Sequence, residues 1–152
     1  MKSRKLYNQN HIYKSSELRV CVDSAANGSM SGKVYSMRLS SPIEFSDIND
    51  FILKVEAVLD AQNYPQAFQT KRMFKEVPVT TSPHVSDDSS ELLDEKTVDE
   101  TSGKLTTFSV LITSRLNTSW QGFIDKLDGS DKLAFNSGLQ FLQLLSEIST
   151  KL

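Results

Sequence analysis

An internal repeat constrains the fold of this chain more than any other feature of its sequence. When the sequence is displaced by 90 residues, positions 20–60 align with positions 110–150 without a gap, and eight of the 41 aligned pairs are identical. The identical pairs are Val20 and Val110, Ser24 and Ser114, Asn27 and Asn117, Ser29 and Ser119, Gly32 and Gly122, Ser40 and Ser130, Phe45 and Phe135, and Phe51 and Phe141. A repeat of this kind predicts two copies of one unit that share a core.

Each copy shows the same order of strand and helix patterns. It begins with apolar residues that alternate with other residues, which is the period of a half-buried strand. These residues are Leu18, Val20 and Val22 in the first copy and Phe108, Val110 and Ile112 in the second. A turn, a second strand and a short extended segment ending at Phe45 or Phe135 follow. An apolar stripe of helical spacing completes each copy, with Ser46 or Asp47 as the expected N-cap of the first helix and Ser137 as that of the second.

Together these patterns predict an α+β fold. Two β-β-(β)-α repeats, related by a pseudo-twofold axis, are expected to form one antiparallel sheet packed by two main helices. We expect a single domain over residues 1–152, with repeat one at 18–61, a connecting segment at 62–76, an acidic flexible insert at 77–103 and repeat two at 105–152. The connecting segment is interpreted as a short helix or turn, and the insert as a mobile loop with one helical turn at Glu91–Lys96.

The distribution of charge argues against a dedicated nucleic-acid-binding role. The chain has 17 basic and 19 acidic residues, a formal net charge of −2. The insert holds seven acidic residues and one lysine, a local charge of −6, which leaves +4 on the remainder. Dedicated nucleic-acid-binding proteins are usually strongly basic. Lys71, Arg72 and Lys75 lie near aromatic residues and form a basic surface, which keeps weak nucleic-acid binding open as an alternative.

The sequence also favours a cytoplasmic protein. No apolar run approaches the roughly 20 residues of a membrane span, and the first residues lack the apolar stretch of a secretory signal. Cys21 is the only cysteine, which excludes an intrachain disulfide and a thiolate metal cluster. We therefore expect a reducing environment and no membrane association.

The sequence contains few of the residues and motifs that are typical of enzymes. Histidine occurs only at His11 and His84, neither of which lies near a repeated motif, and the common nucleotide-binding, serine-hydrolase and zinc-protease motifs do not occur. The acidic residues of the insert lack the spacing of a calcium-binding loop. We expect a protein that is not an enzyme and that uses no cofactor or metal.

The repeated pattern N-x-S-x-x-G is the strongest candidate for a site. Asn27 and Ser29 in the first copy, and Asn117 and Ser119 in the second, would bind a small polar ligand if they met at the pseudo-twofold axis. Turn geometry is the favoured interpretation, because Asn adopts left-handed backbone angles, Ser caps turns and Gly permits a bulge or the close approach of a helix. Trp120, the only tryptophan, is expected in the core or, alternatively, at an interface.

One segment of the second copy resembles a known family. Arg115–Gly122 reads R-L-N-T-S-W-Q-G, and Phe135 and a leucine-rich last helix follow it. This arrangement resembles a family of small uncharacterised proteins from Gram-positive, clostridia-like bacteria, which have an R-x-N-x-(S/T)-W-Q-G segment and a leucine-rich C-terminal helix. The segments Asn27–Tyr35 and Tyr64–Ala67 also fit that family. The resemblance implies no particular activity.

These observations predict a non-catalytic interaction or scaffolding protein. We expect it to bind a protein partner or to self-associate through an exposed sheet edge or helix face. An alternative is a sensor that binds a small molecule in the cleft between the two repeats. Weak nucleic-acid binding by the basic surface is a further alternative.

Overall fold

The alternating segments of the sequence form an antiparallel sheet in the computed structural model, which describes residues 15–68 and 81–152. The strands in these ranges are β1 (Leu18–Ser24), β2 (Ser31–Tyr35), β3 (Ile43–Phe45), β4 (Ala67–Phe68), β5 (Thr106–Leu116), β6 (Gln121–Asp125) and β7 (Leu133–Phe135). The helices are α1 (Ile48–Gln62), α2 (Glu95–Asp99) and α3 (Gly138–Thr150), with 3₁₀ turns at Ala26–Gly28 and Ser89–Glu91. The described part of the chain is therefore an α+β fold, as the sequence predicts.

Six strands run antiparallel in the order β3-β2-β1-β5-β6-β7. The two central strands, β1 and β5, pair so that Arg19 lies opposite Ser109, and these two residues are 90 positions apart. The edges of the sheet are the short strands β3 and β7. The two-residue strand β4 lies off this path and pairs in parallel with the end of β5.

The registers on the two sides of the sheet correspond residue by residue. Val20 of β1 lies opposite Val34 of β2, and Val110 of β5 lies opposite Ile124 of β6. Adding 90 to both numbers of the first pair gives the second pair. The same relation holds between β2–β3 and β6–β7, and the register shift between positions 22 and 24 recurs between positions 112 and 114.

The glycines of the repeated motif lie where two strands approach each other closely. A Cβ atom on Gly32 would lie 1.9 Å from the backbone oxygen of Cys21, and one on Gly122 would lie 1.9 Å from that of Leu111. Heavy atoms cannot approach to that distance, so both positions require glycine. The sequence predicts a bulge or a close helix approach at these glycines. The close neighbour is the adjacent strand and not a helix, and a register shift lies beside each glycine, between positions 22 and 24 and between positions 112 and 114.

The two long helices begin with the same kind of cap. The side chain of Asp47 accepts a hydrogen bond from the Asp50 amide at 2.8 Å, and that of Ser137 accepts one from the Gln140 amide at 3.2 Å. In return, the Asp50 and Gln140 side chains accept from the amides of the residues before the caps, at 3.0 and 2.7 Å. The sequence allows Ser46 or Asp47 as the N-cap of α1, and in the structure the cap is Asp47. These reciprocal bonds fix both helix starts.

The core lies between one face of the sheet and the helices α1 and α3. Phe51 of α1 and Phe141 of α3 stack with their ring centroids 6.1 Å apart. Phe45 meets Phe51 at 5.3 Å, and Phe135 meets Phe141 at 5.0 Å. Aromatic contacts therefore join both helices and both edge strands into one cluster.

The acidic insert packs on the first half of the sheet along its described residues. Arg19 Nε donates to the Thr101 oxygen at 2.8 Å, and the backbone amide of Leu93 donates to the Leu39 oxygen at 2.9 Å. Val98 of α2 is buried. The helical turn predicted at 91–96 is wrong in position, because Asp94 caps a helix that begins at Glu95. The flexibility of the insert stays a prediction.

The connecting segment turns and then extends. Asn63 caps the end of α1 with a left-handed φ of 49°, the Tyr64–Pro65 peptide bond is cis, and β4 follows. The turn alternative therefore describes the start of this segment better than the helix alternative does, while residues 69–76 lie outside the described ranges. No helix in the described part of the chain is long and apolar enough to cross a membrane.

Candidate functional site

A buried arginine links β5 to α1. The Arg115 side chain is 2% exposed, and its Nη1 lies 3.0 Å from Glu56 Oε1 and 2.6 Å from Asp60 Oδ1. Its Nε donates to the Pro65 oxygen at 2.6 Å, and its Nη2 donates to the Leu59 oxygen at 3.3 Å. A buried guanidinium requires such partners because an unpaired buried charge is strongly destabilising. This Arg115 cluster therefore holds α1 and the segment after it against the sheet.

Trp120 extends the Arg115 cluster into the core. Its indole is buried, meets the Phe141 ring at 5.5 Å and donates from Nε1 to Glu56 Oε2 at 2.5 Å. Of the two sequence interpretations of Trp120, the structure matches core packing, because a side chain 6% exposed offers a partner little surface. The sequence drew attention to Trp120 and to the motif that begins with Arg115, but it did not indicate their carboxylate partner.

The second copy of N-x-S-x-x-G forms a turn that caps α3. Asn117 and Thr118 have left-handed φ values of 54° and 61°, and Ser119 Oγ accepts a hydrogen bond from the Gly138 amide at 2.6 Å. The first copy differs, because Asn27 lies in a 3₁₀ turn and Ser29 is exposed beside the last turn of α3. Ser119 and Ser29 thus lie at opposite ends of α3, roughly 18 Å apart at 1.5 Å per residue. The structure does not bring them together on one ligand.

The basic surface and His84 are two further features of the sequence. Lys71, Arg72 and Lys75 lie outside the described ranges, so the basic surface stays a prediction. His84 contacts the Ser41 hydroxyl, with Oγ and Nδ1 3.0 Å apart. Over residues 15–68 and 81–152, no group of three or more His, Cys, Asp or Glu side chains is arranged to hold a metal ion.

A groove of about 420 Å³, here called the Ser29 groove, lies between the start of α1 and the end of α3. Met30 and Leu145 contribute apolar surface. Its polar lining includes the hydroxyl-bearing residues Ser29, Ser146, Ser149 and Thr150. At the positions 90 residues away, Trp120 replaces Met30 and Glu56 replaces Ser146, and these larger side chains are joined by their hydrogen bond. The Ser29 groove is therefore open at positions whose counterparts, 90 residues away, are filled by the hydrogen-bonded side chains of Trp120 and Glu56.

A second cavity of about 210 Å³ lies on the other side of α3 and is here called the Leu144 pocket. Its apolar lining is formed by Phe108, Leu133, Leu144, Ile148 and Leu152. Its polar and charged lining is formed by Thr106, Lys126, Asp128, Glu147 and Lys151. Hydrogen bonds from Ser130 lower the pKa of Asp128. The pocket therefore joins an apolar lining to charged residues of both signs.

The corresponding end of α1 is closed by side chains. Arg38 Nε donates to Gln62 Oε1 at 2.6 Å, and Gln62 Nε2 donates back to the Arg38 oxygen at 2.7 Å. The guanidinium lies 5.5 Å from the centroid of the Tyr64 ring. Burial lowers the pKa of Arg38 to about 10. The β2–β3 loop is thus tied to the end of α1.

The helices differ in how deeply they pack. Four residues of α1 are buried, Phe51, Val55, Val58 and Leu59, whereas α3 buries Phe141 and Leu145. On α3, Leu139 is 67% exposed and Leu142 is 36% exposed. Helix α3 therefore has a shallower apolar contact with the core, and a cavity lies on each side of it.

No protein-family model, curated protein or solved structure matches this chain. The resemblance to the clostridia-like family therefore stays a prediction.

Proposed function

We propose that the chain is an internal duplication whose two copies are related by a pseudo-twofold axis. The support is the common displacement of 90 residues in every strand register of the two halves. An antiparallel pairing that matches a residue with its own counterpart is what a twofold axis requires, and Arg19 with Ser109 is such a pair. Phe51 and Phe141, also 90 residues apart, stack on each other. The axis would pass between them.

We further propose that the protein is a non-catalytic interaction module and that α3 with its two flanking cavities is its partner-binding surface. One observation carries this proposal. Around α1, large side chains such as those of Arg115 and Arg38 form hydrogen bonds and fill the space beside the helix. The corresponding space around α3 is left as two cavities, the Leu144 pocket and the Ser29 groove. Exposed leucines on α3 add apolar surface, which is common where proteins bind one another.

A ligand-binding sensor is the second candidate function, and the Ser29 groove favours it. The groove holds about 420 Å³, which is within the size range of small-molecule sites. Its hydroxyl groups, from Ser29, Ser146, Ser149 and Thr150, offer both donors and acceptors. Asp47 and Asn49 also line the groove, so the ligand would be polar and would not be an anion. It would contact Ser29 of the first copy and not Ser119 of the second.

The interaction proposal is tested by native mass spectrometry of the protein purified from its own host. We expect the wild-type chain in assemblies above its 17.0 kDa monomer mass. Leu142→Glu on α3 should release the monomer, because a carboxylate replaces an apolar contact at the surface. Leu53→Glu is the matched control on α1, since Leu53 is 71% exposed. A bare wild-type monomer, or equal loss of assembly in both variants, would contradict the proposed surface.

A further inference from the structure

A leucine side chain fills the first half of the fold where the second half has the Leu144 pocket. Leu39, in the loop between β2 and β3, is fully buried. It belongs to the same apolar cluster as Leu18, Ile43 and Val58. The residues 90 positions after these three are Phe108, Leu133 and Ile148, which line the Leu144 pocket. The counterpart of Leu39 itself is Gly129.

The backbone around Leu39 is held by the insert. The Leu93 amide donates to the Leu39 oxygen at 2.9 Å, and the Ser40 amide donates to the His84 oxygen at 2.9 Å. In the first half, a second segment of chain therefore crosses the loop that carries the leucine. The crossing backbone of the insert and the buried Leu39 side chain therefore close this end of the unit together.

The matching loop of the second half folds on itself, and the side chains that it contributes to the pocket, Lys126 and Asp128, are charged and not apolar. Gly129 has a φ of 86°, and a Cβ atom added there would meet nothing within 4 Å. Asp125 accepts a hydrogen bond from the Leu127 amide, and Asp128 accepts one from the Ser130 amide, both at 2.9 Å. The amides of Leu127 and Ser130 therefore find their acceptors within the loop itself.

The burial of the lining residues shows the consequence. Ile43 and Val58 are fully buried in the first half, while Leu133 and Ile148 are only half-buried in the second. Apolar cavities of about 150 Å³ are known to hold a benzene ring. At about 210 Å³, the Leu144 pocket is large enough for a leucine side chain.

We propose that the Leu144 pocket binds a leucine side chain presented by a segment of a partner protein, an inference that rests on the interaction function proposed above. The charges of the pocket agree with a neutral segment. Lys126 and Lys151 are balanced by Asp128 and Glu147, so a strongly acidic or basic segment, or an anionic lipid headgroup, would meet like charges as well as opposite ones.

The test uses N-acetyl-leucine amide, a neutral probe with one leucine side chain and two peptide groups. We expect its titration to shift the methyl NMR signals of Leu133, Leu144 and Ile148 and to reach saturation. N-acetyl-alanine amide should bind about 50-fold more weakly, because three fewer carbons are buried. Equal affinities for the two amides, or saturating shifts located elsewhere, would overturn the proposal.

Two variants complete the experiment. Leu144→Phe should fill the pocket and abolish the shifts at Leu133 and Ile148, whereas Leu53→Phe, on the exposed side of α1, should leave them intact. Shifts that persist in Leu144→Phe would also overturn the leucine proposal. Binding of the amide to a chain that forms no assembly would overturn only the interaction function. An assembly sensitive to Leu142→Glu, in a chain that binds no amide, would overturn only the leucine inference.

Discussion

The two halves of the molecule share a backbone plan but differ in how they are closed. On the α1 side, the Arg115 cluster binds the helix to β5 and to the segment after it, and Leu39 fills the loop end. On the α3 side, the corresponding places are the Ser29 groove and the Leu144 pocket. The places that the Arg115 cluster and Leu39 close at α1 therefore have open counterparts at α3.

This difference between the two halves shows which features the fold requires in both halves and which side chains are free to vary. Strand register, helix caps and the glycines at close approaches recur in both halves, because each is needed to form the sheet and to start a helix. Side chains that only fill space are free to differ, and Trp120 corresponds to Met30 as Leu39 corresponds to Gly129. Each place that has the smaller side chain of the pair retains room for another molecule.

Removal of the buried arginine should have the largest effect on stability. We expect Arg115→Ala to lower the free energy of unfolding by about 3 kcal/mol, the lower end for breaking a buried ion pair, since Glu56 and Asp60 keep about 40% exposure and regain water. Urea unfolding measures the change. Arg115→Lys should recover only part of the loss, because an ammonium cannot reproduce the forked hydrogen bonds. Full recovery with Lys would show that charge alone matters.

Truncation of Leu39 should create in the first half the opening that the second half already has. We expect Leu39→Ala to lower the free energy of unfolding by about 2–5 kcal/mol, the range for buried leucines that leave a cavity. Chemical unfolding would be compared with that of Leu53→Ala, which removes an exposed leucine and should change stability by under about 0.5 kcal/mol. Similar losses in the two variants would mean that Leu39 does not close the first half.

The helix caps should contribute equally in the two halves. Asp47→Ala and Ser137→Ala should each cost about 1 kcal/mol, because each removes the acceptor of one amide at a helix start. Urea unfolding of the two single variants and of the double variant measures the loss in free energy of unfolding at each cap and the sum of the two losses. A large difference between the single variants would argue against equivalent helix starts.

A fall in pH should weaken the start of α1 slightly and should leave the start of α3 unchanged. The Ser46 amide and Lys54 lower the pKa of Asp50 below its ordinary value of 3.8, whereas its counterpart Gln140 does not titrate. Asp50 therefore stabilises the fold above pH 3.8, and that contribution is lost as the pH falls through its lowered pKa. We expect Asp50→Asn to flatten the dependence of stability on pH below about pH 4. An unchanged slope in unfolding titrations would be the contrary result.

Much of the fold follows from short-range patterns. The alternation around Val20 and Val110 and the capping residues Asp47 and Ser137 all act within a few positions of the chain, so the sequence predicts them. The packing of the insert cannot be predicted from its acidic composition, because composition says nothing about backbone hydrogen bonds such as that from Leu93 to Leu39.

The Arg115 cluster could not be predicted, since its partners lie 50 to 59 positions earlier in the chain. The two cavities also depend on comparing side chains across the fold. Displacing the sequence by 90 residues sets Gly129 against Leu39, and this signal identifies the Leu144 pocket once Leu39 is known to be buried.

The most direct measurement is site-resolved hydrogen exchange of the assembled protein and of the same protein diluted to the monomer. In the monomer, we expect amides of α3 to exchange faster than those of α1, because α3 buries fewer side chains. Assembly should then slow exchange in α3 and in the β6–β7 loop, and should leave α1 unchanged beyond its first turn, which borders the Ser29 groove. Protection that appears on the rest of α1, or on neither helix, would contradict the assignment of α3 as the partner-binding side.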